Sequence, residues 1–111
     1  MRRLPVVLQG EAKADLAGIF HVVLHASQDQ SVAEGFIGRI IARCHRIGDA
    51  PHGGRPRGDL EPGLRTVPFE RSAVIAYRVE TESVTITNEF YGGRNFEALF
   101  QAARADDEPA P

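Results

Sequence analysis

Hydrophobic positions recur along this chain first at helical spacing and later at strand spacing. A short apolar run at residues 4–9 precedes apolar positions that repeat at intervals of three and four, as on one helix face. These positions are Leu16, Ile19, Phe20, Val23 and Leu24. A second such face consists of Ala33, Phe36, Ile37, Ile40, Ile41, Cys44 and Ile47. The pattern predicts a strand at Leu4–Gln9, then two antiparallel amphipathic helices joined by a short loop.

Capping signals predict where these two helices begin and end. Gly10 and Glu11 precede the first apolar face, so the first helix is expected to begin there. Ser31 and Glu34 have the spacing of a capping box, which predicts the start of the second helix. Gly48 follows the last periodic residue and is expected to end that helix.

The second half of the chain has a different pattern. Residues 48–63 contain so many glycines and prolines that neither helix nor strand is predicted. Alternating residues then predict three strands, at Leu64–Phe69, Ser72–Val79 and Ser83–Tyr91. The links between them are short, so the strands are expected to be antiparallel neighbours. In the last strand, regular alternation places Val84, Ile86, Asn88 and Phe90 on one side and Thr85, Thr87 and Glu89 on the other.

The predicted order is β-α-α-β-β-β, which belongs to the α+β class. Packing a helical hairpin on one face of a mainly antiparallel sheet gives a two-layer domain. Phe96, Leu99 and Phe100 have helical spacing and predict a short C-terminal helix. The expected domain is 1–104, followed by an acidic, proline-containing tail at 105–111 that we expect to be disordered.

Composition narrows the functional classes. The chain has 111 residues, 13 basic and 15 acidic, and a net charge of −2, which disfavours a globally basic nucleic-acid binder. Cys44 is the only cysteine, which excludes an intramolecular disulfide, and it falls on an apolar face where a buried core residue is expected. The first residues are too short an apolar run for a signal peptide, and no run is long enough to span a bilayer. We therefore expect a cytoplasmic protein.

Basic residues cluster in one part of the chain. All but one of the basic residues are arginine, the exception being Lys13, and five arginines lie within 19 residues: Arg39, Arg43, Arg46, Arg55 and Arg57. This cluster is either a binding site for an acidic partner or a solvated helix flank followed by a loop.

His21 and His25 have the spacing of a metal-binding pair on a helix. They lie opposite the apolar face and lack a third ligand, so neither a metal nor a cofactor is expected.

Several short motifs, taken in order, resemble one protein family. They are Ala14-Asp15-Leu16, Ala33 with Phe36, Pro51 followed by Gly54-Arg55 and Arg57, the run 59–65, Tyr77-Arg78-Val79, and Gly93-Arg94-Asn95. Together they resemble the RelE/ParE superfamily of bacterial type II toxin–antitoxin modules, over about residues 5–100. The resemblance implies a growth-inhibiting toxin, a role in plasmid stabilisation or stress response, and a cognate ParD-like or similar antitoxin that neutralises it in a hetero-oligomer. It implies no membrane partner, and no direct nucleic-acid binding without the antitoxin.

The branch of this superfamily decides the expected activity. RelE-like members cleave messenger RNA on the ribosome with lysines, arginines and a tyrosine, whereas ParE-like members are associated with inhibition of DNA gyrase. Arg65 and Arg94 match arginine positions of the family and could clamp a phosphate, with Tyr91 as a substitute acid. The remaining catalytic residues are missing, which favours the ParE-like branch with no catalytic residues. A ribonuclease using Arg65, Tyr91 and Arg94, and a non-toxic remnant that acts only in an antitoxin complex, are the alternatives.

Family positions also suggest which residues contact a partner. These are Arg55, Arg57, Arg65, Tyr77 and Arg94. An alternative for Arg65 and Arg94 is a structural one, in which they pair with sheet-edge carboxylates such as Glu89.

Overall fold

Two long helices and a sheet make up the part of the chain that the computed structural model describes, which is residues 3–92 and Glu97. The helices are α1, Gly10–Ser27, and α2, Gln30–Ile47. The strands are β1 (Val6–Leu8), β2 (Arg55–Pro56), β3 (Leu64–Phe69), β4 (Ala73–Val79) and β5 (Val84–Tyr91). The predicted α+β order and the helical hairpin are confirmed. The predicted C-terminal helix, the boundary at residue 104 and the tail at 105–111 lie outside the described residues.

The sheet has five strands in the order β1-β5-β4-β3-β2. β1 runs parallel to β5, and every other neighbouring pair is antiparallel. β1 pairs only with the first part of β5, from Val84 to Ile86. The later part of β5 therefore has β4 on one side and α1 near its other edge, and this arrangement creates the cleft described below.

A β-bulge in β5 overturns the regular alternation expected for that strand. Tyr77 pairs with Ile86 while Ala76 pairs with Asn88, so no residue of β4 lies opposite Thr87 in the register. An extra residue in one strand shifts every later side chain to the opposite face. Glu89 is consequently 3% exposed and shares the helix-facing side with Val84 and Ile86, which is opposite to the side predicted for it.

The helical hairpin turns differently from the sequence prediction. Gln28 adopts a left-handed conformation (φ 55°), and its backbone N–H donates to Leu24 O, which ends α1. The N-cap of α2 is Asp29, whose carboxylate accepts hydrogen bonds from the backbone N–H groups of Ser31 and Val32. The predicted capping box of Ser31 and Glu34 is therefore wrong, because an aspartate two residues earlier already satisfies these N–H groups.

Each face of the sheet buries its own apolar cluster. The larger core lies between the sheet and the helices and includes Ile40, Ile75 and Ile86, which are fully buried. A smaller cluster on the opposite face consists of Leu60, Leu64 and Ala76, with Phe90 packed against it. The smaller cluster exists because the segment that follows β2 folds back over the sheet.

The segment at residues 48–63 contains more regular structure than its composition predicts. Pro51–Gly53 form a 3-10 helix, and Arg55–Pro56 form the two-residue strand β2 at the edge of the sheet. A proline is tolerated at an edge strand because its missing N–H is not needed for a ladder on the outer side. None of the helices within the described ranges has the length and apolar character needed to cross a bilayer.

Candidate functional site

Tyr77 is fully buried and holds the glycine-rich loop against the sheet. Its hydroxyl donates to Pro51 O at 2.8 Å and accepts from Gly54 N at 2.9 Å. A Cβ at Gly54 would overlap the Tyr77 ring and hydroxyl, so glycine is required by this close approach. Burial is the main reason why the pKa of Tyr77 is raised, so the phenol is neutral and acts as a structural hydrogen-bonding group.

Arg65 supports the same loop from the neighbouring strand. It lies opposite Tyr77 in the register of β3 and β4. Its Nη1 donates to His52 O at 3.0 Å and to Gly54 O at 2.8 Å. The predicted alternative of an ion pair with Glu89 does not occur, because Arg65 donates to backbone carbonyls and Glu89 lies in the core beside Cys44.

Arg57 is a buried arginine on the opposite side of the sheet from the helices. Its guanidinium donates two hydrogen bonds to the Asp59 carboxylate, from Nε at 3.0 Å and from Nη2 at 2.8 Å. Its Nη1 donates to Glu97 at 2.9 Å. Hydrogen bonds to Asp59 and Glu97 are the main cause of a raised pKa for Arg57. Arg57 is 6% exposed and fixes the loop that covers the smaller apolar cluster.

The other predicted arginines divide into exposed and engaged side chains. Arg55 is exposed on the edge strand β2. Arg39 makes a bidentate pair with Glu70, at 2.8 and 3.1 Å, while Arg46 is exposed and Arg43 is half-buried. Arg94 lies outside the described residues.

The structure does not bring Arg65 and Tyr91 together. Arg65 pairs with Tyr77 on β4, whereas Tyr91 pairs with Ala73 at the other end of that strand. A four-residue offset along a strand is roughly 13 Å and two strand spacings are roughly 10 Å, so their Cα atoms lie roughly 16 Å apart. Tyr91 also packs edge-on against the Phe36 ring, with centroids 5.5 Å apart. One phosphodiester would not meet both side chains as they are held here.

A cleft of about 490 Å³ lies between α1 and the later part of β5, and we call it the α1–β5 cleft. One wall is formed by α1 and the other by the end of the strand. The lining residues are Ala14, Asp15, Gly18, Ile19, Val22, Glu89, Phe90, Tyr91 and Gly92. This lining combines small and apolar residues with two carboxylates, and none of the described residues that form it is basic.

Glu89 is the unusual residue of this cleft. Its Oε1 accepts from the Cys44 thiol at 3.1 Å, while its Oε2 is buried and has no hydrogen-bond partner among the described residues. Its backbone N–H donates to Asp15 Oδ2 at 2.9 Å. A buried carboxyl oxygen without a partner is destabilising, and such groups in a folded protein call for an explanation.

Burial dominates the electrostatics around Glu89. It raises the pKa of Glu89 to about 8, the nearby Asp15 raises it further, and the hydrogen bond from Cys44 partly opposes the shift. Burial also raises the pKa of Asp15 and the pKa of the Cys44 thiol. Glu89 is therefore mostly protonated at pH 7, and the thiol is neutral and unreactive.

Sequence reasoning missed the α1–β5 cleft because the bulge is not visible in the residue pattern. Regular alternation placed Glu89 on the face opposite Ile86, where a carboxylate is unremarkable. The available signals were a glutamate near an apolar strand end and Asp15 in the motif Ala14-Asp15-Leu16. His21 and His25 are exposed on α1, and no group of three or more metal-ligating side chains occurs in the part of the chain that the structure describes.

Known proteins match this chain over most of its length. A family model described as the ParE toxin of the type II toxin–antitoxin system parDE matches residues 6–88. Toxin ParE3 of Caulobacter vibrioides is 33% identical over 93 residues, covering 84% of this chain and 91% of that protein. A solved chain of the chromosomal ParDE TA system from P. aeruginosa has the same fold, with a TM-score of 0.70 and 20% identity over 81% of this chain and 97% of that one. The chain therefore belongs to the ParE family of toxins from type II toxin–antitoxin systems.

Proposed function

We propose that this ParE-type toxin inhibits growth by binding DNA gyrase and that a cognate antitoxin neutralises it by binding the toxin directly. The toxin performs no bond-breaking chemistry of its own in this proposal. Membership in the ParE family supports the class of activity. The positions of Arg65 and Tyr91 favour a binding protein over a ribonuclease.

The separation of Arg65 from Tyr91 carries this choice. Cleavage of RNA by its 2′-hydroxyl needs a general acid and a cation at one phosphate. Arg65 is held by two backbone carbonyls, and Tyr91 lies roughly 16 Å away along the sheet, packed against Phe36. Neither side chain is poised for a shared substrate.

Surface charge suggests how partners are recognised. Arg55 and Arg46 are exposed, and they are the described candidates for pairing with acidic side chains of a partner. Tyr77, Arg65 and Arg57 make bonds within the fold, so we assign them the role of holding the loop that presents Arg55. Exposed ion pairs at the rim of an interface contribute mainly to the association rate and register.

The test is induction of the toxin alone in bacteria, with parallel assays of DNA supercoiling and messenger RNA integrity. We expect inhibited growth and altered supercoiling or DNA damage, while transcripts remain intact. Transcripts cut within codons and unchanged supercoiling would contradict the proposal and identify a ribonuclease. Unimpaired growth with soluble protein present would indicate a non-toxic remnant.

A matched pair of variants tests the role of surface charge. Arg55→Glu reverses an exposed charge on β2, while Arg71→Glu reverses an exposed charge in the turn between β3 and β4. We expect Arg55→Glu to weaken binding to gyrase or to the antitoxin, measured with purified proteins, and Arg71→Glu to bind like the wild type. Equal binding by both variants would remove Arg55 from the proposed interface.

A further inference from the structure

We propose that the α1–β5 cleft receives a lysine or arginine side chain of the antitoxin, which pairs with Glu89 and Asp15. This inference rests on the proposed function, since it names the antitoxin as the partner. It concerns a cleft to which the sequence analysis assigned no role, although Ala14 and Asp15 in its lining belong to one of the family motifs. The unpartnered carboxyl oxygen, the lining of the cleft and the strand edge beside it all support such a side chain.

The unpartnered Oε2 of Glu89 indicates a missing hydrogen-bond donor. Glu89 is 3% exposed, and its other carboxyl oxygen accepts from the Cys44 thiol. The second carboxylate, Asp15, approaches from α1 and accepts from the backbone N–H of Glu89. A cationic side chain would supply both the donor and the opposite charge, and charge-assisted hydrogen bonds are stronger than neutral ones.

The shape of the cleft suits a long cationic side chain. Lysine and arginine bury an aliphatic stem along apolar surface and carry a charge only at the tip. Ile19 and Val22 on α1 provide apolar wall, and Val22 is 51% exposed. At Gly18 on α1 the space is open, with nothing within 4 Å of where a Cβ would stand.

The neighbouring strand edge favours a polypeptide over a free cation. β1 pairs with β5 only as far as Ile86, and Gln9 N donates to Ile86 O where the chain turns into α1. Within the described part of the chain, no strand covers the outer edge of β5 beyond this point. The backbone N–H of Glu89 already donates to Asp15, so an extended segment beside this edge would bind mainly by directing side chains into the cleft.

Proton release is the expected consequence of this pairing. The groups that face Glu89 are Asp15 on α1 and the thiol of Cys44 on α2, where Arg43 acts on the thiol through its charge. Because the pKa of free Glu89 is about 8, its carboxyl is mostly protonated at pH 7. A cation stabilises the ionised form, so binding displaces the proton and becomes tighter as the pH rises towards 8.

The first experiment uses the toxin alone, with n-butylammonium chloride as the probe. Carbon-13 NMR of the side-chain carboxyls, with the Glu89 signal identified from its loss in Glu89→Gln, gives the pKa of Glu89. We expect the probe to lower this pKa by at least half a unit relative to sodium chloride at equal ionic strength. An unchanged pKa at a probe concentration of 0.2 M would overturn the inference.

The second experiment uses the antitoxin encoded by the adjacent gene and isothermal titration calorimetry from pH 6 to pH 8. For the wild-type toxin we expect affinity to rise by up to about tenfold per pH unit, as for release of one proton. Glu89→Gln should bind at least tenfold more weakly at pH 8 and lose this pH dependence, and Asp15→Asn should weaken binding independently. Glu82→Gln, in the exposed turn before β5, should bind like the wild type.

The outcomes separate this inference from the proposed function. If Glu89→Gln binds the antitoxin as tightly as the wild type, with the same pH dependence, the inference fails while the toxin–antitoxin function stands. If wild-type toxin forms no complex but n-butylammonium lowers the pKa of Glu89, the antitoxin assignment falls with the proposed function and the cation site stands.

Discussion

Two regions of this toxin bury polar side chains, and they satisfy them to different degrees. Where the loop at residues 48–63 packs against the sheet, the Tyr77 hydroxyl both donates to and accepts from the loop backbone, and Arg65 donates to two of its carbonyls. In the α1–β5 cleft, one oxygen of Glu89 has no partner among the described residues. The satisfied groups stabilise the fold, whereas the unsatisfied oxygen is the one for which we propose a hydrogen-bond donor from a partner.

Removing the Tyr77 side chain should cause the largest loss of stability, because this residue holds the loop at residues 48–63 against the sheet. Tyr77→Ala should lower the free energy of unfolding by about 3–5 kcal/mol, because it leaves a large cavity in the core. Tyr77→Phe keeps the ring but leaves Gly54 N–H without its acceptor, so we expect a loss of about 1–3 kcal/mol. Urea denaturation measures both. Equal stability of Tyr77→Phe and wild type would show that the hydroxyl does not hold the loop.

Glu89 should make the stability of the toxin depend on pH. The pKa of Glu89 is about 8 in the folded toxin and close to 4.5 when unfolded, so the folded state holds its proton more tightly. This stabilising contribution is complete below pH 4.5 and is lost as the pH rises to about 8, by up to about 1.4 kcal/mol per pH unit.

Glu89→Gln provides the matched comparison for that prediction. The amide does not titrate, so the wild type should lose stability relative to this variant between pH 5 and pH 8, as measured by urea denaturation at several pH values. Parallel stability curves for the two proteins would show that Glu89 does not bind a proton on folding.

Cys44, which is buried in the core beside Glu89, offers a smaller change. Its thiol hydrogen bond lowers the pKa of Glu89, so Cys44→Ala should raise that pKa further above 8. The unfolding free energy should change by only about 1–2 kcal/mol, a typical value for a single substitution. Carbon-13 NMR of the Glu89 carboxyl checks the direction, and a lowered pKa would contradict the assigned role of the thiol.

The exposed pair of Arg39 and Glu70 should show the smallest effect. Its bidentate geometry is as good as that of Arg57 with Asp59, but both side chains are largely in water. Solvent screens such pairs and side-chain entropy opposes them, so Arg39→Gln should unfold at the same urea concentration as the wild type. A clear destabilisation would show that the contact of Arg39 with the Phe36 ring contributes to stability.

The hydrophobic pattern of the sequence predicted most of the helices and strands, but it did not predict the cap of α2 or the short edge strand. The periodicity of α1, α2, β3 and β4 predicted elements that the structure confirms, because one side of each must face a core. The capping box failed because Asp29 competes for the same N–H groups as Ser31. The strand β2 was missed because a two-residue strand containing proline has no periodicity to detect.

The candidate site was less accessible to sequence reasoning than the fold. Family positions directed attention to Tyr77, Arg65 and Arg57, whose contacts in the structure are with this chain's own backbone and carboxylates. Nothing in their spacing distinguished an arginine that binds a partner from one that caps a carbonyl. That distinction depends on which groups the fold brings within 3 Å of the guanidinium.

The sequence by itself determined the α+β class, the helical hairpin and the resemblance to the ParE family, since these follow from periodicity and ordered local motifs. Tertiary structure decided the parallel pairing of β1 with β5, the bulge at Thr87 and, through that bulge, the burial of Glu89. The physical reason is that a bulge is a mismatch between two strands, so neither strand encodes it alone. One extra residue in β5 places the Glu89 carboxyl on the helix-facing side of the sheet, where it is buried beside the cleft.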